Sequence, residues 1–256
     1  MQNEKQITGV FNLLSAESRR SLAANEPLVS AGRPQESGLA RRTSPGGISR
    51  PALLEPVPKI GVFMSIELAL QKFPKDIKLK DGVKCKTRPL RKDDEKSFHE
   101  FFLAIPGEER MFIKHRVTEP EVIREWCKSI DLGRNLPLLA LVDGKILGCA
   151  TLHQQLGGWK RHIGRVSVLV HPKFRGRGLA RSLVTEVLDL ARQGGLEKIE
   201  AEFIGEQEGA MKVFALLGFS NLLRLESYVK DMQAVTHDYV LMGLDIKTDE
   251  EYAGVG

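Results

Sequence analysis

The sequence predicts a mixed α/β fold: a central mixed β-sheet flanked by about four helices, in one domain of about 165 residues. Three observations carry that expectation. Between residues 83 and 246, segments with strand and helix periodicity follow in the order β-α-α-β-β-β-α-β-α-β-β. Asp143-Gly144 separates the apolar runs LPLLALV and KILGCATLH and is a strong hairpin signal. A further strand, IGRVSVLVH, passes through a short glycine-containing loop directly into an amphipathic helix.

Each element has its own local reason. VKCKTRPLR alternates and reads as a strand. Asp93 or Asp94 caps a helix whose Phe98, Phe101, Phe102 and Ile105 recur at i, i+3, i+4 and i+7, and Pro106-Gly107 stops it. Thr118-Glu119-Pro120-Glu121 has the spacing of a capping box and opens a second helix, with Val122, Ile123, Trp126 and Ile130 as its buried stripe. After the Asp143-Gly144 hairpin, Gly157-Gly158 turns the chain into IGRVSVLVH. The helix after the glycine loop has an apolar face of Leu179, Ala180, Leu183, Val184, Val187, Leu188 and Ala191, and Gly194-Gly195 ends it with a left-handed cap. LEKIEAEFI is the next strand. A helix with Ala210, Val213, Phe214 and Leu217 on one side ends at Gly218, and strands near 221–230 and 238–246 close the domain.

Composition bounds the rest. The chain has 256 residues, 42% hydrophobic and 28% charged, enough apolar material for a packed core. Residues 1–63 are rich in Ser, Gly, Pro and Arg without a period and are expected to be a disordered N-terminal extension, with Met64 as an alternative true start. Residues 64–82 are expected to be a linker or lead-in, 83–247 the domain and 248–256 a tail. The net charge of +5 divides into +3 over residues 1–63 and +2 over the remainder, too even for a general nucleic-acid binder. No apolar run of about 18 residues and no secretory leader pattern is present, so neither a membrane span nor export is expected, and a cytoplasmic location follows. Cys85, Cys127 and Cys149 lie far apart, with no CxxC pair to hold a metal.

The chemistry is concentrated in VSVLVHPKFRGRGLARSLV. Gly176 and Gly178 let backbone approach a ligand. The helix starting near Leu179 aims unpaired N–H groups and a positive dipole end at the same place. Lys173, Arg175, Arg177 and Arg181 add positive charge. A phosphate or pyrophosphate site is expected there. A Walker loop would need a Lys-Ser/Thr pair, and the dinucleotide fingerprint would need a third glycine where Arg181 stands.

The loop does carry [QR]xxGx[GA], as Arg175, Gly178 and Ala180, just after a strand ending in Val170-His171-Pro172. With the two early helices, the Asp-Gly hairpin and ALLGF at 215–219, residues 83–246 resemble the GNAT family of N-acetyltransferases. The resemblance implies a GNAT-like acyl-CoA N-acyltransferase fold, with acetyl-CoA as co-substrate and no metal. It implies that backbone groups of Val168, Leu169 and Val170 meet the pantetheine arm. The pyrophosphate would lie on Arg175, Gly176, Arg177, Gly178, Leu179 and Ala180, with Arg181 adding charge. It further implies direct attack of a primary amine on the thioester in a ternary complex, the acceptor being a small molecule or a protein lysine. No nucleic-acid or membrane partner is expected, and a homodimer is left open.

Two positions depart from the family pattern. Phe214 stands where the family often has a tyrosine as acid for the leaving thiolate, and its place on the apolar helix face suits core packing. Arg165 and Ser167 stand where an acidic base is frequent. Glu202, on the face of its strand opposite Ile199, Ala201 and Phe203, is a candidate base, and so is His153 at the end of KILGCATLH. Tyr228 and Tyr239 are phenols available as replacement acids. A sensor that keeps the acyl-CoA loop without turnover is the alternative reading.

Overall fold

In the computed structural model, which describes residues 66–113 and 115–246, eight strands form one sheet. They are β1 (Lys75–Lys78), β2 (Lys84–Pro89), β3 (Asn135–Val142), β4 (Lys145–Gln154), β5 (Ile163–Val170), β6 (Lys198–Ile204), β7 (Ser220–Lys230) and β8 (Thr236–Asp245), in the spatial order β1-β2-β3-β4-β5-β6-β8-β7. Helices α1 (Glu95–Leu103), α2 (Gly107–Arg110), α3 (Pro120–Lys128), α4 (Leu179–Gln193) and α5 (Glu208–Ala215) connect them. The expected N-terminal extension and C-terminal tail lie outside the described residues.

Strand alternation sorts the sheet into two cores. On one face Val166, Val168 and Val170 of β5 and Ile199, Ala201 and Phe203 of β6 pack with Leu183, Val184 and Val187 of α4 and Phe214 of α5. On the other, Leu139 and Leu141 of β3 and Leu169 of β5 pack with Phe98, Phe101 and Phe102 of α1 and Ile123 and Trp126 of α3. Gly148 permits the close approach of α4: a Cβ there would stand 3.0 Å from Leu183 and 3.2 Å from Leu179. The Asp143-Gly144 turn has positive φ at both residues, 48° and 76°, which matches the twist of the strands it joins.

Every strand pair is antiparallel except β5 with β6. That parallel pairing covers only Ile163–Lys198, Gly164–Ile199 and Arg165–Glu200. Beyond it β5 stays paired to β4 as far as Val170, and β6 to β8 as far as Ile204. The sheet therefore opens between two neighbouring strands in its middle.

Three local expectations need correction. The segment read as linker or lead-in contributes a helical turn at 66–70 and the edge strand β1, with Ile66, Ala69 and Leu79 buried. The proposed capping box at Thr118 does not form: α3 starts at Pro120 with Glu119 at its N-cap and no side-chain cap. Pro120, suited to the first helical position, starts the helix there and puts Glu119 rather than Thr118 at the N-cap, and the Thr118 carbonyl instead lies 2.9 Å from His99 Nε2. Finally, the Asp94 side chain caps backwards, accepting from the Arg91 N–H at 2.8 Å and from both Arg88 guanidinium nitrogens at 2.6 and 2.7 Å.

Candidate active site

The site begins where β5 parts from β6. His171 N–H bonds the Leu147 carbonyl on β4 at 2.8 Å. Because successive residues of a strand present their backbone groups to opposite sides, Leu169 and Ser167 also face β4, whereas Val168 and Val170 face the gap. Leu169 is thus a correction: its backbone pairs with Cys149 and its side chain is in the α1/α3 core.

The chain then makes one 3-10 turn, Pro172–Phe174, in which the His171 ring accepts the Lys173 N–H at 3.2 Å. Burial, then the charges of Lys173 and Arg175, hold the His171 pKa below the usual histidine value, which keeps that ring nitrogen available as an acceptor. Gly176 (φ +72°) and Gly178 (φ +84°) take left-handed conformations that any other residue would adopt only with strain. The first intrahelical bond of α4 runs from Ser182 N–H to Gly178 O at 3.0 Å. The N–H groups of Leu179, Ala180 and Arg181 precede it, so they point outward from the helix start.

These groups border a cleft of about 200 Å³. Val168, Val170, Arg175, Gly176, Gly178, Leu179, Ala180 and Arg181 line one side, and Ala210, Val213 and Phe214 of α5 line the other. Phe214 is 1% exposed and packs edge-on against Phe203 and Phe219, with ring centroids 5.0 and 4.9 Å away. It is a core residue whose edge reaches the cleft.

The charges of the loop are arranged differently from the expectation. Arg175 places a bidentate pair on Glu109 of α2, both bonds 2.7 Å, and donates Nε–H to the Val170 carbonyl at 3.2 Å. Arg177 bonds Asp81 at 2.6 Å and lies 5.0 Å from the Phe174 ring centroid. Both guanidinium groups therefore brace the loop from the side. Lys80, from the turn between β1 and β2, joins the cleft lining. The signal for it was in the sequence: Asp81-Gly82 between Ile77-Lys78-Leu79 and Val83-Lys84-Cys85 is a second Asp-Gly hairpin pattern.

The opposite face of the sheet carries the candidate proton-transfer groups. Glu202 accepts from Tyr239 Oη–H at 2.9 Å and pairs with Arg165 at 3.0 Å, both through Oε1. Burial, reinforced by the Glu202 charge, raises the Tyr239 pKa far above that of an ordinary phenol. His153 lies between Asn135 Oδ1, 2.8 Å from Nδ1, and Ser167 Oγ, 3.3 Å from Nε2. It stands opposite Arg165 in the β4–β5 register, so one cationic side chain separates the two candidate bases. Glu202 and Tyr239 are brought together; His153 joins a separate polar set. Cys85, Cys127 and Cys149 are all buried, and burial pushes the Cys127 thiol up to about 11 and the Cys149 thiol up to about 12, which leaves them as thiols rather than nucleophiles. No helix among the described residues is long and apolar enough to cross a membrane.

Comparison with known proteins agrees with this geometry. Residues 97–219 match the model of the acetyltransferase (GNAT) family. N-alpha-acetyltransferase MAK3 of Arabidopsis thaliana is 30% identical over 118 residues, 45% of this chain and 61% of that protein. L-amino acid N-acyltransferase MnaT of Escherichia coli is 31% identical over 99 residues, 37% of this chain and 55% of that protein. The chain thus spans between half and two thirds of the length of both. Among solved structures, the GNAT domain of S. lividans PAT superposes with a TM-score of 0.56 at 20% identity, covering 67% of this chain and 96% of that one. The yncA protein of Salmonella typhimurium, determined with its cofactor acetyl-CoA, gives 0.55 at 19% identity, covering 64% and 95%. The family match over residues 97–219, the curated relatives and the shared fold all liken this chain to the acetyltransferase (GNAT) family.

Proposed function

We propose that the protein moves an acetyl group from acetyl-CoA to a primary amine by direct attack in a ternary complex. One observation carries the reading: β5 and β6 part beside the glycine loop and the start of α4. The parting leaves the Val168 backbone groups and the Val170 N–H facing a cleft, so an amide-bearing arm can pair with them as a strand would, while the Val170 carbonyl accepts from Arg175. The N–H groups at the start of α4 suit the pyrophosphate. Acetyl-CoA is the substrate these features fit, and the parting gives its thioester a route to the face bearing Glu202.

There the amine loses a proton, attacks the thioester carbon, and CoA leaves as a thiolate that must be protonated. Glu202 is the base in this proposal. Tyr239, bonded to it, is in this proposal the acid that stands in for the phenol absent at Phe214: once Glu202 has taken the amine proton, the negative charge that helps to hold the Tyr239 pKa up is gone. The names of the two curated relatives concern an N-alpha position and L-amino acids, which directs the acceptor search to α-amino groups first.

The test is amine-dependent release of free CoA thiol from acetyl-CoA, with α-amino and ε-amino acceptors in parallel. Glu202→Gln should lower the maximal rate by about 10²–10⁴, and Tyr239→Phe should lower it with unchanged acetyl-CoA affinity. A Glu202→Gln protein of normal rate across pH 6 to 9 would remove Glu202 from the chemistry. Acetyl-CoA binding without turnover on any amine would make the protein a sensor.

A further inference from the structure

We propose that Lys80, on the turn joining β1 and β2, is a phosphate-binding residue of the acyl-CoA site. The proposal rests on the acetyltransferase reading and adds a cation that lies outside the family-model match.

The turn is built to hold this lysine in place. Leu79 N–H bonds Val83 O at 2.9 Å and Gly82 N–H bonds Leu79 O at 3.0 Å, with Gly82 at φ +86°, the pattern of a three-residue hairpin loop. Leu79, 3% exposed, anchors it in the core. Two contacts fasten the turn to the glycine loop: Lys80 N–H to Arg177 O at 3.1 Å, and Asp81 to the Arg177 guanidinium at 2.6 Å. The lysine stem then runs beside Gly178. Its Cγ and Cε each lie 3.4 Å from the point where a Cβ on Gly178 would stand, and the residue lines the cleft with Gly176, Gly178 and Arg181.

Charge accounting points the same way. Arg175 is bonded to Glu109 and Arg177 to Asp81. The Lys80 ammonium and the Arg181 guanidinium have no ion-pair partner among the described residues. These two therefore flank the start of α4 as the cleft's uncommitted cations. A CoA phosphate seated on the N–H groups of Leu179 to Arg181 would lie beside an ammonium that neutralises it. The pyrophosphate and the 3′-phosphate share this chemistry.

Calorimetric titration of the full chain with CoA, dephospho-CoA and 4′-phosphopantetheine tests the assignment. Lys80→Ala should raise the CoA dissociation constant about tenfold, the scale of one charge-assisted hydrogen bond. It should also flatten the dependence of affinity on salt, while Lys80→Arg keeps most of the affinity. A loss that persists with dephospho-CoA and 4′-phosphopantetheine puts Lys80 on the inner phosphates, and a loss confined to CoA puts it on the 3′-phosphate; both support the proposal. Lys84→Ala, one exposed lysine further along the hairpin, is the control for nonspecific charge and should bind normally. Tight CoA binding by the parent with affinity within twofold in Lys80→Ala at low salt would overturn the Lys80 assignment alone. Failure of the parent to bind CoA would overturn the acetyltransferase reading and Lys80 with it.

Discussion

Arg175→Ala separates two roles for the arginine of the glycine loop, one toward ligand phosphate and one toward the protein. The guanidinium and its partner carboxylate have side chains 17% and 6% exposed, and they meet through two bonds of 2.7 Å. Removing the arginine leaves the Glu109 carboxylate buried without its cation and the Val170 carbonyl without the Nε donor. Breaking such a pair costs about 3–5 kcal/mol, and the partial exposure of Arg175 argues for the lower end, about 3 kcal/mol. For a domain of this size that is a fall in melting temperature of about 6–12 °C. Arg175→Lys should recover little, because an ammonium cannot reproduce the fork. Arg175→Met combined with Glu109→Leu should recover much of the loss, since the desolvation of two charges disappears with them. Thermal melts of the parent and these three variants read the effect, and the single variants Arg175→Met and Glu109→Leu complete the double-mutant cycle that isolates the coupling. A melting temperature within 2 °C of the parent, together with a tenfold or greater loss of acetyl-CoA affinity that Arg175→Lys restores, would refute the bracing role and return the charge to the ligand.

Two further outcomes follow from the same geometry. Gly178→Val forces a branched residue to φ +84° and pushes a Cβ to 3.4 Å from the Lys80 stem, so acetyl-CoA binding by calorimetry should vanish while circular dichroism stays native; unchanged affinity in a folded variant would remove the loop from the site. His237 hydrogen-bonds Glu206 at 2.9 Å and Asp231 at 3.4 Å, and these partners, Glu206 first, raise its pKa above the usual histidine value. Its pairing then stabilises the fold fully below the unfolded histidine pKa of about 6.5 and is lost as pH rises through the higher folded value. The melting temperature should fall across that window in the parent and stay flatter in His237→Gln; equal slopes would show that the pair contributes nothing.

The parts of the fold legible from sequence were those whose signal is local. The Phe98, Phe101, Phe102, Ile105 stripe is buried as its spacing requires, at 0 to 2% exposure. The Asp143-Gly144 hairpin and the glycine loop form where their turn chemistry sits. Strand β1 escaped because four residues, Lys75–Lys78, with an exposed, lysine-rich face carry little hydrophobic period. The site divides in the same manner. Val168, Val170 and residues 178–181 follow from one contiguous motif. The Glu109–Arg175 and Glu202–Tyr239 pairs join residues 66 and 37 positions apart, and no spacing rule within either segment announces them. Arg175 shows the cost of reading a basic loop by charge alone: a carboxylate supplied from α2 turns a candidate phosphate ligand into a brace.

Strand β5 explains why recognition and proton transfer can be assigned to different residues without being independent. Its three sets of groups point three ways. The Val166, Val168 and Val170 side chains fill the core under α4, and the Val168 and Val170 backbones face the gap. Arg165 and Ser167 project to the face that holds Glu202, Tyr239 and His153. The strand is paired to β4 from Gly164 to Val170 but to β6 only as far as Arg165, and Arg165 is the residue that bonds Glu202. The point where the sheet opens and the point where the candidate base is held are thus one register position. A change that zipped β5 further onto β6 would cover the backbone groups assigned in the proposal to a pantetheine arm and, in the same movement, shift the guanidinium paired with Glu202. That coupling is a consequence of strand geometry, since a period of two leaves no way to move one set of groups on β5 without the others.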